Sequence, residues 1–307
     1  MVTLLKISIP AIAEEVTKLT NHFITSQSWP TEWKSSNVTP VFKKDDETNK
    51  TNYRSISILS ALSKVYEKVI HNQMYSTFSP YLSTNLSGFL KGHSCLTALL
   101  KMTEDWRANL DNRKSVAVVA VDLSKAFDSV CHNLLIAKLK AYGFSIEALN
   151  LMKNYLLNRR QRVTITGIYS NWRTITTGLP QGKFLAPFLS NLFMNDLNYF
   201  VSNISLRLYA DDTTEYFADH SPMALEHIIN NELNTLTEWF DWNILVTNPS
   251  KTQALTLRPT TYNYDLKMND LPIEIKDPLK ILGINIDGKL TCERPIKKCL
   301  CKMFNFT

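Results

Sequence analysis

The stretch from Ile204 to Tyr216, ISLRLYADDTTEY, limits the possible folds most tightly. Apolar residues alternate through Leu206, Leu208 and Ala210, two aspartates follow, and β-branched and aromatic residues resume at Thr213, Thr214 and Tyr216. That pattern predicts a hairpin with carboxylates at its tip. Adjacent side chains on a pleated strand point to opposite faces, so Asp211 and Asp212 reach one cavity only if a tight turn re-aims them. Two like charges held together repel, and a divalent cation between them relieves the repulsion. Taken alone, the same dipeptide also suits a plain surface turn, because turns favour aspartate.

A second acidic strand end reverses that balance. From Val116 to Val121 the chain reads VAVVAV and stops at Asp122. A short unbroken apolar run of this kind predicts a strand buried on both faces. Three carboxylates, Asp122, Asp211 and Asp212, then converge from two central strands. They are enough to hold two metal ions roughly 3.5–4 Å apart for an in-line displacement at phosphorus.

The 307 residues leave room for one large domain or two subdomains. A hydrophobic share of 44% with 20% charged residues describes a globular chain, and the net charge of +6 suits a polyanionic partner without proving one. No apolar run approaches the roughly 20 residues that span a bilayer, so no membrane partner is expected. The N-terminal apolar segment is short, is broken by Lys6 and Pro10, and reads as an amphipathic helix rather than a targeting signal. Cys95, Cys131, Cys292, Cys299 and Cys301 are odd in number and lack the paired spacing of a zinc site. Free thiols in a reducing, intracellular compartment are the expectation.

VAVVAVDLSKAFDSV, TTGLPQGKFLAPFLSNLFMNDL and LRLYADDTTEY resemble, in order and in spacing, the three central motifs of reverse transcriptases, most closely those of non-LTR (LINE-type) retrotransposons. The likeness runs from about Trp29 to about Leu290. It implies an α+β right-hand polymerase fold with an antiparallel palm sheet, fingers of helices and strands, and a thumb mostly absent. Residues 1–115 would be fingers, 116–258 palm with catalytic motifs and intervening finger helices, 259–291 the palm end and primer grip, and 292–307 the start of a truncated thumb. The implied cofactor is Mg²⁺, as two ions, with Mn²⁺ as a substitute. The implied partners are an RNA template, a DNA primer, deoxynucleoside triphosphates, and endonuclease and thumb domains of a longer polyprotein. Two rival readings stay open. One is an inactive remnant that binds RNA or RNA–DNA duplex. The other is a metal-dependent nuclease, which also needs clustered carboxylates but leaves GLPQG and KAFD unexplained.

The resemblance also distributes roles. Arg54, in NYRSIS, grips the triphosphate, since a guanidinium offers two parallel hydrogen bonds to phosphate; without the family it reads as an exposed loop arginine. Phe127, in KAFD, lies beneath the sugar and excludes a 2′-hydroxyl, while Asp128 beside it belongs at a helix start. In TGLPQG, Gly178, Pro180 and Gly182 form a loop for close backbone approach, and Gln181 offers donors to a base or sugar. Lys251, in NPSKT, either donates a proton or charge to the departing pyrophosphate or is structural. Arg159, Arg160 and Arg162 form the densest basic cluster and, with Lys91, are assigned to template-primer; a solvated helix end is the alternative. Departures from the family are Ser55 for Pro, Leu90 for Arg, and Lys183 and Ala186 in the loop. Residues 63–75 are predicted helical with Val65, Val69 and Ile70 inward. Leu96, Leu99, Leu100, Thr103, Trp106 and Leu110 mark a second packing face.

Overall fold

The computed structural model describes residues 2–43, 46–124, 126–180, 184–258 and 261–290, with side chains from Pro10 onward except that of Thr51. The chain opens with helix α1 (Val2–Thr25), strands β1 (Ser35–Phe42) and β2 (Tyr53–Ile58), helices α2 (Ala61–Phe78) and α3 (Cys95–Asp111), and strand β3 (Ser115–Val121). Helices α4 (Ala126–Ser129), α5 (His132–Ala141) and α6 (Ile146–Leu156) precede strands β4 (Arg159–Ile165), β5 (Ile168–Tyr169) and β6 (Arg173–Ile175). Then come α7 (Leu185–Met194), α8 (Leu197–Phe200), β7 (Ser205–Tyr209), β8 (Asp212–Asp219), α9 (Pro222–Trp242) and β9 (Gln253–Leu257). Five short strands close the described chain: β10 (Lys267–Met268), β11 (Leu271–Pro272), β12 (Glu274–Ile275), β13 (Leu279–Ile281) and β14 (Ile284–Ile286). Two compact units result, Met1–Tyr81 with Phe127–Phe193, and Leu82–Ala126 with Met194–Thr307.

The first unit holds a mixed sheet ordered β2-β1-β4-β5, with β6 also paired to β4. Its core is aromatic, the Trp29 ring lying 4.4 Å from that of Tyr66 and 4.6 Å from that of Tyr155. Ser60 starts α2 by accepting from the Ser63 amide at 3.1 Å. The helix turns Ser63, Tyr66, Glu67, Ile70 and Met74 inward. Val65, expected inside, is exposed, because helical steps of three and four from Tyr66 pass over position 65. Glu67 is wholly buried, and so is nearly all of Arg159, whose guanidinium donates to the main-chain oxygens of Tyr155 and Trp33. Burial pushes the Glu67 carboxyl up to about 7 against the opposing pull of Arg159 and Lys64.

The second unit is built on a sheet ordered β12-β9-β3-β8-β7. Four of its strands pair antiparallel, and β12 adds a parallel edge to β9, so the sheet is mixed rather than purely antiparallel. Central β3 has no exposure from Val116 through Val119, which answers to its unbroken apolar run. Val116 and Val118 pack with Leu99, Met102 and Trp106 of α3 and with Leu279, Ile281 and Ile286 of the β13–β14 hairpin. Leu100, expected on that α3 face, is exposed. Helix α9 packs on β3 and β8 through fully buried Leu225, Ile229 and Leu236. Ser94 and Thr97 cap α3 reciprocally, and Ser221 caps α9 ahead of Pro222.

Residues 85–88 run along the edge of β7. The Ser87 amide donates to Leu208 O at 2.8 Å and the Leu208 amide to Asn85 O at 2.9 Å. Gly88 then meets the hairpin turn, where an added Cβ would overlap the Ala210 nitrogen and lie 3.1 Å from its Cα. Only glycine permits that approach.

Gly88→Ala must therefore displace the edge segment or the turn, at an expected cost of about 1–3 kcal/mol of unfolding free energy. Urea titration of both forms measures it, and equal midpoints and slopes would remove Gly88 from this role. Glu67 supplies a pH signature. Its folded value of about 7 lies above the ordinary 4.5, so across that window the folded state holds more protons and stability falls as pH rises, then levels off. Thermal melts of the parent and Glu67→Gln from acid to neutral pH should diverge across this window. A constant difference would contradict the buried carboxyl.

Candidate active site

The register of β3 and β8 pairs Val121 with Thr213, so one step on Asp122 stands opposite Asp212. Directly opposed residues share a sheet face. That face carries Val118 and Tyr216 and is the one on which the β13–β14 hairpin packs. Asp122 and Asp212 accordingly line one pocket of about 120 Å³, together with Thr214, Lys251, Gln253 and Lys280.

The turn before β9 holds this corner in place. The Asn248 amide donates to Asp122 O at 2.8 Å, and the Asp122 amide donates to Thr252 Oγ1 at 3.3 Å. Thr252 is buried, and its hydroxyl donates to Asn248 O at 3.1 Å, while the Lys251 amide donates to the same oxygen at 3.0 Å. One tight turn thus carries Lys251 and clamps the Asp122 peptide from both sides.

Asp211 is exposed in the hairpin turn, after Ala210 at φ 59°, and is not among the residues lining the pocket. A non-glycine residue in that conformation costs about 1–3 kcal/mol and persists only where its surroundings impose it. Among the described residues no three His, Cys, Asp or Glu side chains gather tightly enough to hold a metal by themselves. Two carboxylates on neighbouring strand ends nevertheless fit Mg²⁺, which takes one or two from protein and fills its shell with phosphate and water.

The remaining candidates divide by unit. Arg54 lies exposed on β2 opposite Val41, in a strand rather than a loop. Phe127 lies in α4 and its carbonyl accepts from the Leu179 amide at 2.7 Å. Gly178 sits at φ +83°, where a Cβ would lie 2.6 Å from Asp128 O, and its own oxygen accepts from His132 Nε2 at 2.7 Å. The glycine does serve a close approach, but to the KAFD main chain. Asp128 falls in the first turn of α4. Gln181, Gly182 and Lys183 lie outside the described residues, as do Cys292, Cys299, Cys301 and the whole of 292–307, where the start of a thumb is expected. Ala186 is buried in α7. Lys91 is exposed beside half-buried Leu90.

The basic cluster splits. Arg160 and Arg162 lie on the sheet surface, whereas Arg159 is 3% exposed and committed to main-chain oxygens, which takes it out of any template-binding surface. Three residues the motifs did not single out join the site: Gly88 under the turn, Thr252 on the Asp122 amide, and Lys280 in the pocket wall. The glycine of SGFL and the threonine heading β9 were the only traces of the first two. Cys95 and Cys131 are free thiols, and no described helix is long and apolar enough to cross a membrane.

Comparison with known proteins agrees with this geometry. The family model described as reverse transcriptase (RNA-dependent DNA polymerase) matches residues 41–286. A probable RNA-directed DNA polymerase from transposon BS of Drosophila melanogaster is 30% identical over 88% of this chain and 31% of its own length. The RNA-directed DNA polymerase from mobile element jockey of the same organism is 26% identical over 87% of this chain and 30% of its own. The chain thus spans about a third of the length of these relatives. Among solved structures, apo telomerase from Candida tropicalis superposes with a TM-score of 0.54 at 11% identity, covering 90% of this chain and 59% of that one. Its complex with a telomeric RNA fragment gives 0.56 at 10% identity, over 91% and 48%. These likenesses show the shared fold. With its motifs in order and most of its length matched, the chain belongs to the reverse transcriptase family, as a reverse transcriptase domain related to those of non-LTR transposons.

Proposed function

We propose that this chain carries the catalytic centre of an RNA-directed DNA polymerase, which extends a DNA primer on an RNA template with deoxynucleotides. The observation that carries the reading is the pairing of Asp122 with Asp212 at adjacent strand ends, in one pocket with Lys251. The second unit acts as palm, with 259–291 as its end and primer grip. The first acts as fingers. On this reading α3 and residues 82–94, which belong to the second unit, go with the palm, and 127–193, which belong to the first, go with the fingers.

In the reaction the primer 3′-oxygen bonds to the α-phosphorus, the bond from that phosphorus to the β-phosphate oxygen breaks, and pyrophosphate leaves. Asp122, Asp212 and neighbouring Asp211 hold Mg²⁺ or Mn²⁺. When bound, the ions supply Lewis-acid activation of the 3′-hydroxyl and neutralise charge on the phosphates. Lys251 gives a proton, or its charge, to the departing pyrophosphate. Arg54 grips the triphosphate, Phe127 lies beneath the sugar on a main chain pinned by Leu179, and Gln181 has the role that the family resemblance gives it, as a donor to a base or sugar. Lys91, Arg160 and Arg162 take nucleic-acid phosphates. A second reading, an inactive remnant that still binds RNA or RNA–DNA duplex, is favoured by Leu90, an apolar side chain where the family more often has arginine.

Primer extension on a polyribonucleotide template with Mg²⁺ and one complementary deoxynucleotide separates the readings. Extension by the parent, lowered roughly a hundredfold or more in Asp122→Ala and Asp211→Asn with duplex binding retained, is expected. Binding without extension would favour the remnant, and primer shortening a nuclease. Lys251→Ala should slow incorporation about 10²–10⁴-fold and pyrophosphorolysis equally, with little change in the KM for nucleotide. A change confined to KM would make Lys251 a binding residue only.

A further inference from the structure

The five strands of the first unit carry five arginines and no aspartate or glutamate. Register sorts four of these strands onto a common open face. On β1, Ser35 pairs with Arg160, Asn37 with both Arg162 and Ile58, Thr39 with Ile56, and Val41 with Arg54. Paired residues share a face, so three arginines and two isoleucines lie on one side of the sheet, and Tyr169, opposite Thr164, falls on the same side. Ile56 and Ile58 are 48% and 61% exposed, and Tyr169 and Trp172 are 51% and 39% exposed.

Two of these arginines, Arg160 and Arg162, are held in position. Arg162 Nε donates to Asn37 Oδ1 at 2.9 Å, and its guanidinium lies 3.9 Å from the Tyr169 ring centroid and 4.5 Å from that of Trp172. Arg160 Nε donates to Ser35 Oγ at 2.8 Å, and its guanidinium lies 5.0 Å from the Trp172 centroid. Each guanidinium is fixed through Nε and against a ring, which leaves its terminal nitrogens for phosphate oxygens. The strands of this face thus set exposed apolar and aromatic side chains beside charge of one sign.

We infer that this sheet face is a docking platform for an unpaired nucleic-acid strand, with phosphates on Arg160 and Arg162 and bases against Trp172, Tyr169 and the Ile56–Ile58 surface. Resting on the polymerase reading above, the occupant is single-stranded template RNA. A duplex hides its base faces and would meet only the arginines, whereas an open strand satisfies rings and cations together.

Fluorescence anisotropy of a short labelled oligouridylate with the full chain tests this without catalysis. The parent should bind it in preference to an RNA–DNA hybrid of equal length. Trp172→Ala should weaken binding roughly five- to a hundredfold, with Trp172→Phe keeping most of it. The pair Arg160→Gln and Arg162→Gln should lower the slope of log affinity against log salt by about 1.4, at about 0.7 for each phosphate that the variant no longer neutralises. Circular dichroism confirms that each variant is folded, and if Trp172→Ala is not, the arginine pair carries the test. Parent-like binding by the folded variants, preference for the hybrid, no binding by the parent, or equal displacement by polyglutamate would each overturn the platform. Loss of oligouridylate binding in the variants of a parent that cannot extend a primer would sink the polymerase reading and leave the platform standing.

Discussion

The antiparallel register between β3 and β8 is the constraint on which the rest of the site depends. Seven residues of β3 are matched from Ser115 opposite Asp219 to Val121 opposite Thr213. A slip by one residue would send Val116 and Val118 to the wrong face and pull Asp122 away from Asp212. The packing of α3 and the β13–β14 hairpin on one face fixes the register hydrophobically, and the carboxylates inherit their placement from it. Apolar burial does the positioning, and the polar site at the strand ends is its by-product.

The same alternation separates two kinds of carboxylate on one strand. Asp212 opens β8 on the pocket side. Three residues later Glu215 faces the other way and is fully buried, near Glu232 of α9. Burial, reinforced by the Glu232 charge, holds the Glu215 carboxyl well above the ordinary carboxylate range. Glu232 accepts from Asn203 Nδ2 at 2.6 Å. One strand thus presents a solvent-exposed carboxylate at its open end and a fully buried one in its core, and burial is the main difference between them.

Much of this was legible from periodicity. The VAVVAV run and the hairpin around Asp211 and Asp212 follow from local patterns that tertiary structure did not override. What could not be read depends on partners distant in sequence. Whether Asp211 or Asp212 faces the pocket turns on the parity of β8 against β3. Gly88 matters because residues 85–88 lie along β7, more than a hundred positions away. The aspect of α2 that points inward is set by Trp29 and Tyr155, so Val65 could not be placed from α2 alone.

The RRQR segment shows how one local pattern produces two unlike roles. Arg159 lies over the Tyr155 ring at 5.1 Å, four residues back, and turns into the core, where Glu67 is buried within its electrostatic reach. Arg160 and Arg162 come under strand alternation and meet Ser35 and Asn37 on the open face. Buried Glu67 feels the charge of the Arg159 guanidinium, which opposes the burial that raises its carboxyl, while the guanidinium itself is held by the main-chain oxygens of Tyr155 and Trp33. An inward arginine without those main-chain acceptors would be an unsatisfied buried charge, and an outward one would leave the core position unfilled. The buried arginine and the external basic face are therefore consequences of a single chain direction at Arg159, and the face exists because only the first arginine of the segment is taken into the core.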